Sequence, residues 1–207
     1  APLDNVRLVI FAGDHGVAAG GVSNYPADIT ASMLAAVRAG RATVNAMATA
    51  VGATVDVFDV GVGSPTGDIR VEPAMTAERC DRVTETAFAA VDAAVNAGAD
   101  VLVLGELGIG NTTIAAALAT YVTGAAVDAT VGRGTGVDNA GLERKRAAVT
   151  AAIDRVGRLP DPLDALCELG GTEIAAMAAA CVRARRHRVP VLLDGYVATA
   201  AVLPLHP

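Results

Sequence analysis

Short apolar runs alternate with longer segments of helical periodicity along this chain. The first run, residues 6–12 (VRLVIFA), is continuously apolar, which is typical of a strand buried on both faces of a parallel sheet. Similar patterns predict strands at 53–60, 101–105, 125–131 and 189–194, and helices at 28–51 with a break near 40, 76–97, 112–121, 138–156, 172–186 and 198–203. This alternation predicts an α/β, Rossmann-like three-layer fold, with a mostly parallel sheet and helices on both faces.

The composition supports one globular unit. The chain has 207 residues, 53% of them hydrophobic, which is enough for a sizeable core and excludes intrinsic disorder. Only 3% are aromatic, so the core must be built from aliphatic residues and alanine. We therefore expect residues 1–207 to form a single α/β core domain.

Charge and hydropathy argue against nucleic-acid and membrane partners. The net charge is −6 and the pI is near 5.0. The basic run at 183–188 is typical of a solvated helix end. Residues 107–127 are uncharged and long enough to span a bilayer, but their glycines and Asn111 indicate a loop. Without a recognisable targeting segment, we expect a cytoplasmic protein.

The cysteines and histidines predict no metal site. Cys80, Cys167 and Cys181 are odd in number and widely spaced, which predicts neither a disulfide framework nor a CxxC site. Such cysteines are typical of a reducing compartment. With only three histidines, a zinc site built by the protein alone is not favoured.

Glycine-rich segments follow several predicted strands, at 13–16, 61–63 and 105–110, with another at 132–136. Ligands of open α/β sheets bind beyond the carboxyl ends of the strands. This placement predicts a ligand site at that edge of the sheet.

The segment 106–113 (ELGIGNTT) follows a strand and opens a helix, which is typical of a phosphate cradle. Gly108 allows close approach of an anion, while Asn111 and Thr112 begin the helix. The segment lacks the lysine of a Walker A loop and does not complete GxGxxG. The alternative is a tight turn with Asn111 as the helix cap.

Residues 132–136 (GRGTG) form a second possible cradle, with Gly132 and Gly134 giving backbone access. Lys145 lies about two turns into the next predicted helix and is the only lysine in the sequence. A lone lysine among arginines favours a point charge on phosphate. An exposed helix lysine is the alternative.

Several polar residues lie at predicted strand ends. Glu106, beside its glycine loop, is a candidate general base or a loop carboxylate bonded to backbone amides. Asp194, after the last predicted strand, presents the same choice as Glu106. Asp14 and His15 can position a substrate or only cap the first strand.

Seven segments occur together in the order of a known family. They are FAGDHGV (11–17), VSNYPADIT (22–30), VDVFDVGV (55–62), ELGIGNTT (106–113), GRGTG (132–136), LERK (142–145) and PVLLDGYVATAA (190–201). The chain thereby resembles the nicotinate-nucleotide–dimethylbenzimidazole phosphoribosyltransferase family, the CobT family of cobalamin biosynthesis.

The resemblance implies transfer of the phosphoribosyl group from nicotinate mononucleotide to 5,6-dimethylbenzimidazole, giving α-ribazole 5′-phosphate and nicotinate. It implies a homodimer and no cofactor. It assigns the ribose phosphate to Gly108, Asn111, Thr112, Gly132, Gly134 and Lys145, a secondary base role to Glu106, and the azole pocket to the segment around Ser23, Tyr25 and Pro26. Asp14 is a further candidate substrate-binding residue.

The chain departs from the family pattern in two ways. Ala27 stands where members commonly carry glutamine, which predicts altered azole recognition. No GEG-type motif, which carries the family's principal base, is found in these residues. By the resemblance we also expect the N-terminal helical segment that helps to build the family's smaller domain to be absent from them. We expect a fragment or a shortened relative that keeps the phosphate loops but turns over poorly.

Three alternatives stay open. A non-catalytic nucleotide- or azole-binding module would use the same loops. A nucleotide-dependent dehydrogenase is disfavoured by the incomplete GxGxxG pattern. A phosphoribosyltransferase that uses a diphosphate donor is disfavoured because Glu106 stands alone before its loop.

Overall fold

The computed structural model describes residues 3–206 and contains a four-stranded sheet whose strands are all parallel. The strands are β1 (Val6–Gly13), β2 (Thr54–Gly61), β3 (Val101–Leu107) and β4 (Val191–Leu193). The helices are α1 (Ile29–Arg38), α2 (Thr43–Ala50), α3 (Ala77–Asn96), α4 (Asn111–Thr123), α5 (Val127–Thr130), α6 (Asn139–Val156), α7 (Asp164–Glu168), α8 (Thr172–His187) and α9 (Gly195–Val202), with 3-10 turns at Gly16–Gly20 and Leu203–Leu205. The predicted α/β fold is confirmed.

The strand order places a ligand crevice between β1 and β3. The order is β2-β1-β3-β4, so the chain steps outward from β1 to β2 and then crosses to the other side of β1. Phe11 on β1 lies opposite Glu106 on β3, and Ala12 lies opposite Leu107. The loops after these strands diverge, which creates the switch-point crevice where ligands bind in sheets of this kind.

Helix α4 is buried on all sides at the centre of the packing. Its residues from Thr113 to Thr120 are all buried and half of them are alanine, with Ile114 and Leu118 as the large side chains. Alanines let α6 and α9 approach closely, so a helix without a polar face is stable here. Between residues 3 and 206, no helix is long and apolar enough to cross a bilayer.

One predicted strand and two element boundaries were wrong. Residues 125–131 were predicted as a strand but contain α5, which packs against α4 and α6, away from the sheet. The hydroxyl of Thr130 is 2.6 Å from that of Thr120, a contact that ties this turn to α4. Helix α9 begins at Gly195, three residues before its predicted start, and β4 is shorter than predicted.

The prediction for the cysteines was also wrong. Cys80 on α3 and Cys167 on α7 form a disulfide across 87 residues of sequence. The backbone beside it is paired as well, since the Met75 amide donates to the Cys167 carbonyl at 2.9 Å. Packing of α7 and α3 near the same end of α8 brings the two cysteines together, and sequence spacing cannot reveal this.

The basic run at the end of α8 is only partly a solvated helix end. Arg183 donates from Nε and Nη2 to the carboxylate of Asp92 on α3, both at 2.7 Å, and His187 lies at the same distance. Hydrogen bonds from Arg183 and then His187 lower the pKa of Asp92 to about 2. These contacts join α3 to α8 at the amino-terminal side of the sheet, away from the crevice.

Candidate active site

A cavity of about 520 Å³ opens beside the carboxyl end of β3. It is lined by Tyr25, Ile29, Thr30, Met33, Glu106, Leu107, Gly108, Ile109, Asn111, Thr112 and Thr135. The lining therefore combines apolar side chains from α1 with the polar groups of the first glycine loop. Both predicted loops contribute to it, through residues 106–112 and through Thr135.

The first glycine loop has little space beneath it. A Cβ at Gly108 would lie 2.8 Å from the Gly13 carbonyl oxygen and 2.8 Å from Nε2 of His15. Gly110 has a φ of 96° at the start of α4, a conformation that favours glycine. Asn111 is not the helix cap predicted from sequence, because Gly110 takes that position and the Asn111 side chain donates to the Glu106 carboxylate.

The second glycine loop meets α4 and α6 at one point. Lys145 Nζ donates to Thr112 Oγ1 at 2.8 Å. A Cβ at Gly134 would lie 2.9 Å from that hydroxyl and 3.1 Å from Nζ. The two glycine loops therefore meet at Lys145, through Thr112 of the first loop and Gly134 of the second.

Lys145 is a buried cation without a counter-charge. Only 1% of the residue is exposed, and within residues 3–206 no carboxylate lies within ion-pair distance of it. Burial lowers the pKa of its ammonium group. The alternative that this lysine is an exposed helix residue is therefore wrong. A desolvated ammonium without a counter-charge among the described residues favours an incoming anion.

Glu106 has the electrostatics of an acid-base group. Burial, and then the negative charge of Glu173, raise the pKa of Glu106 to about 8, while the hydrogen bond from Asn111 opposes the rise. The carboxyl group is consequently neutral at pH 7 and gains its charge in the range where a general base works best.

The segment that precedes α1 is joined to the second glycine loop. Asn24 donates to the Gly136 carbonyl at 3.1 Å, and Arg144 donates to the Gly21 carbonyl at 2.8 Å. Ser23 accepts from the Tyr25 amide at 3.2 Å, which shapes the turn that places Tyr25 in the cavity wall. The predicted azole-binding segment and the predicted phosphate loop therefore share one structural unit.

Some predicted residues lie outside the cavity lining. The carboxylate of Asp14 accepts a hydrogen bond from the Gly63 amide at 2.8 Å and thereby contacts the loop after β2. A Cβ at Gly132 would meet no heavy atom within 4 Å, so the backbone there is open to a ligand. Asp194 lies before α9 and does not line the cavity, although the neighbouring Tyr196 donates to the carbonyl of Thr130, just before the second glycine loop.

Sequence reasoning missed Glu173 and underrated His15. His15 Nε2 lies 2.7 Å from Glu173 Oε1, and both side chains are fully buried next to Gly108. It also missed Thr30, whose hydroxyl accepts from the Ile109 amide at 3.3 Å, and the apolar wall formed by α1. The available signal for Glu173 was a glycine pair, Gly170-Gly171, directly before a helix whose amino-terminal half is otherwise largely apolar.

Comparison with known proteins identifies the family. The phosphoribosyltransferase family model DBI_PRT matches residues 1–206. The chain belongs to this family. Two similar proteins are nicotinate-nucleotide–dimethylbenzimidazole phosphoribosyltransferases. The one from Mycobacterium avium is 45% identical over 97% of this chain, and the one from Roseobacter denitrificans is 46% identical over 96% of it.

The structural comparison agrees with this placement in the DBI_PRT family. CobT from Thermus thermophilus superposes with a TM-score of 0.94 at 38% identity, over 98% of this chain and 66% of that protein. The chain spans 62% and 58% of the length of the two curated relatives. The resemblance seen in the sequence motifs is thus confirmed at the level of the family.

Substitution of Gly134 tests the convergence of the two loops. Gly134→Ala places a methyl group against Thr112 Oγ1 and Lys145 Nζ at a φ of 55°, so we expect it to break their hydrogen bond and destabilise the fold by roughly 1–3 kcal/mol. Gly136→Ala is the matched control, because its φ of 96° is also left-handed but its Cβ meets nothing within 4 Å. Urea denaturation of both variants measures the difference, and equal losses would contradict the crowded geometry at Gly134.

Proposed function

We propose that this chain binds nicotinate mononucleotide and transfers its phosphoribosyl group to 5,6-dimethylbenzimidazole. The names of the similar family members support this substrate pair. The observation that carries the proposal is the buried Lys145, which donates to Thr112 beneath the second glycine loop and has no ion-pair partner among residues 3–206. A phosphate is the group that such a desolvated cation and open backbone recognise.

The phosphate site orients the donor toward the cavity. Thr112 belongs both to the contact with Lys145 and to the cavity lining, so a phosphate held there directs its ribose into the cavity. The open backbone at Gly132, the close approach of Gly134 to Thr112 and Lys145, and the start of α4 at Asn111 complete the cradle. Gly108 keeps the first loop close to the sheet.

The acceptor fits the apolar part of the same cavity. Ile29, Met33, Leu107 and Ile109 form aliphatic walls, and Tyr25 adds an aromatic side chain near Ser23. A flat, largely apolar bicyclic base matches such walls. Ala27 is exposed and outside the lining, so recognition of the base rests on the aliphatic residues.

The reaction requires removal of one proton. A ring nitrogen of the acceptor attacks C1′ of the ribose, the bond from C1′ to nicotinate breaks, and nicotinate leaves with the bonding electron pair. The acceptor then loses its N–H proton. We assign to Glu106 a share in taking up that proton, because its carboxyl group lies in the cavity wall with a pKa of about 8.

Calorimetric titration with nicotinate mononucleotide, with and without the azole, tests the proposal, followed by chromatographic detection of nicotinate. We expect Glu106→Gln to retain donor binding but lower nicotinate release roughly tenfold or more. Release by the wild-type chain should rise as the pH increases through about 8, where Glu106 ionises.

The exposed Glu143→Gln variant on α6 is the control and should behave like wild type. Saturable binding without nicotinate release would favour a non-catalytic binding module. Absence of binding, or a release rate that falls as the pH rises, would contradict the assigned roles.

A further inference from the structure

A second buried carboxylate lies behind Glu106. Glu173, in the first turn of α8, is fully buried, and its Oε1 lies 2.7 Å from Nε2 of the equally buried His15. None of the four side-chain polar atoms of the pair, Oε1 and Oε2 of Glu173 and Nδ1 and Nε2 of His15, has a hydrogen-bond partner of good geometry among residues 3–206. Buried ionisable groups are costly, so such a cluster needs an explanation beyond packing.

Three glycines enclose this pair directly beneath the candidate active site. A Cβ at Gly108 would lie 3.2 Å from Glu173 Oε1, one at Gly13 would lie 3.1 Å from Oε2, and one at Gly171 would lie 2.9 Å from Oε2. Gly108 follows Glu106 by two residues and itself lines the cavity. Only the backbone of the first glycine loop therefore separates the pair from the ligand site.

The surroundings of the two carboxylates differ. Glu173 faces the His15 imidazole and lies at the amino-terminal end of a 16-residue helix, and both features stabilise a negative charge. Glu106 receives, from the residues that the structure describes, only a hydrogen bond from the side-chain amide of Asn111. When two nearby carboxyl groups share one environment, the less stabilised group holds the proton, and the charge of Glu173 raises the pKa of Glu106 accordingly.

We propose that Glu173, with His15 as its partner, is a positioning residue whose fixed negative charge places the exchangeable proton of the site on Glu106. Glu173 does not touch the substrate and acts only through Glu106. The inference rests on the proposed function for its role in catalysis, but the placement of the proton is a property of the free protein.

The other charged groups around Glu106 do not replace the effect of the Glu173 charge on the Glu106 carboxyl group. From β1 and its loop come His15 and Asp14, but Asp14 is directed to the Gly63 amide. From α6 comes Lys145, which is held by Thr112. Helix α1 and its preceding loop contribute Thr30 and the distal phenol of Tyr25 to the cavity. Glu173 is the negative group that raises the pKa of Glu106 beyond the effect of burial.

Carbon-13 NMR of glutamate side-chain carboxyls tests the inference without any substrate. The Glu106 signal is assigned by its loss in Glu106→Gln. We expect it to titrate near pH 8 in the wild-type chain and to move down by roughly one unit or more in Glu173→Gln. Glu173→Asp keeps the charge and should largely restore the wild-type midpoint, while Glu143→Gln should leave it unchanged.

Each outcome bears on the inference by itself. A folded Glu173→Gln protein with an unchanged Glu106 midpoint would overturn it, as would a wild-type midpoint near the ordinary value of 4.5, even if the variants do not fold. Failure of nicotinate release would count against the proposed function and leave this titration intact. Release that proceeds with an ordinary Glu106 midpoint would refute the present inference alone.

Discussion

Lys145→Met is expected to weaken the binding of nicotinate mononucleotide by roughly tenfold to a hundredfold, because a charge-assisted contact with phosphate is lost. The same change should stabilise the unliganded protein by roughly 1–3 kcal/mol, since it removes a buried ammonium group that has no ion-pair partner in the described structure. Calorimetry measures the first effect, and urea denaturation measures the second.

The pH dependence of stability gives an independent check on Lys145. Burial lowers the pKa of this lysine below 10.5, so the unfolded chain binds more protons than the folded protein between the two values. The free energy of unfolding of the wild-type chain should consequently increase as the pH rises through that interval. The Lys145→Met variant should not show this increase.

A matched substitution at the neighbouring position separates the phosphate contact from general effects of charge. Arg146 forms ion pairs with Asp128 and Glu143, away from Thr112. Arg146→Met should therefore leave donor affinity close to that of wild type. Unchanged affinity in Lys145→Met, or equal losses in both variants, would contradict a phosphate site at Lys145.

Loss of the disulfide between Cys80 and Cys167 should destabilise the fold by about 4 kcal/mol, because the bond closes a loop with a sequence separation of 87. For a chain of this size, that corresponds to a decrease in Tm of about 10 °C. Thermal unfolding of the Cys80→Ala/Cys167→Ala variant, or of wild type with reductant, measures the effect.

Cys181→Ala is the control for this experiment. Burial raises the pKa of the Cys181 thiol to about 11, so the thiol stays protonated and exchanges slowly. Reductant should lower the Tm of Cys181→Ala as it does that of wild type, and should leave the double variant unchanged. A Tm that is insensitive to reductant in all three proteins would contradict the disulfide.

Prediction from the sequence succeeded where the signal is local. The apolar run on β1 and the start of α6 near residue 138 were recognised correctly because hydrophobic periodicity and helix-start signals act within a few residues. It failed for α5, where the apolar and β-branched residues of 125–131 are typical of a strand. Packing against α4 decided that segment, since tertiary contacts outweigh weak propensity in so short a piece.

The candidate active site likewise combines features that local sequence reveals with contacts that only tertiary packing decides. The glycine loops and Lys145 could be found in the sequence because glycine freedom, helix starts and a lone lysine are visible residue by residue. The side chains that contact these groups could not be found in this way. The contact of Lys145 with Thr112 spans 33 residues, and Glu173 comes from a helix that had no assigned role in the site.

The alternating pattern of this chain is sufficient to specify a parallel sheet and the edge that holds the loops, because burial and backbone freedom are properties of neighbouring residues. Which charge is buried beside which other group depends on how α4, α6 and α8 pack on the sheet. The raised pKa of Glu106 and the desolvation of Lys145 are therefore products of the tertiary structure, since both arise from excluding water around groups that are distant in sequence.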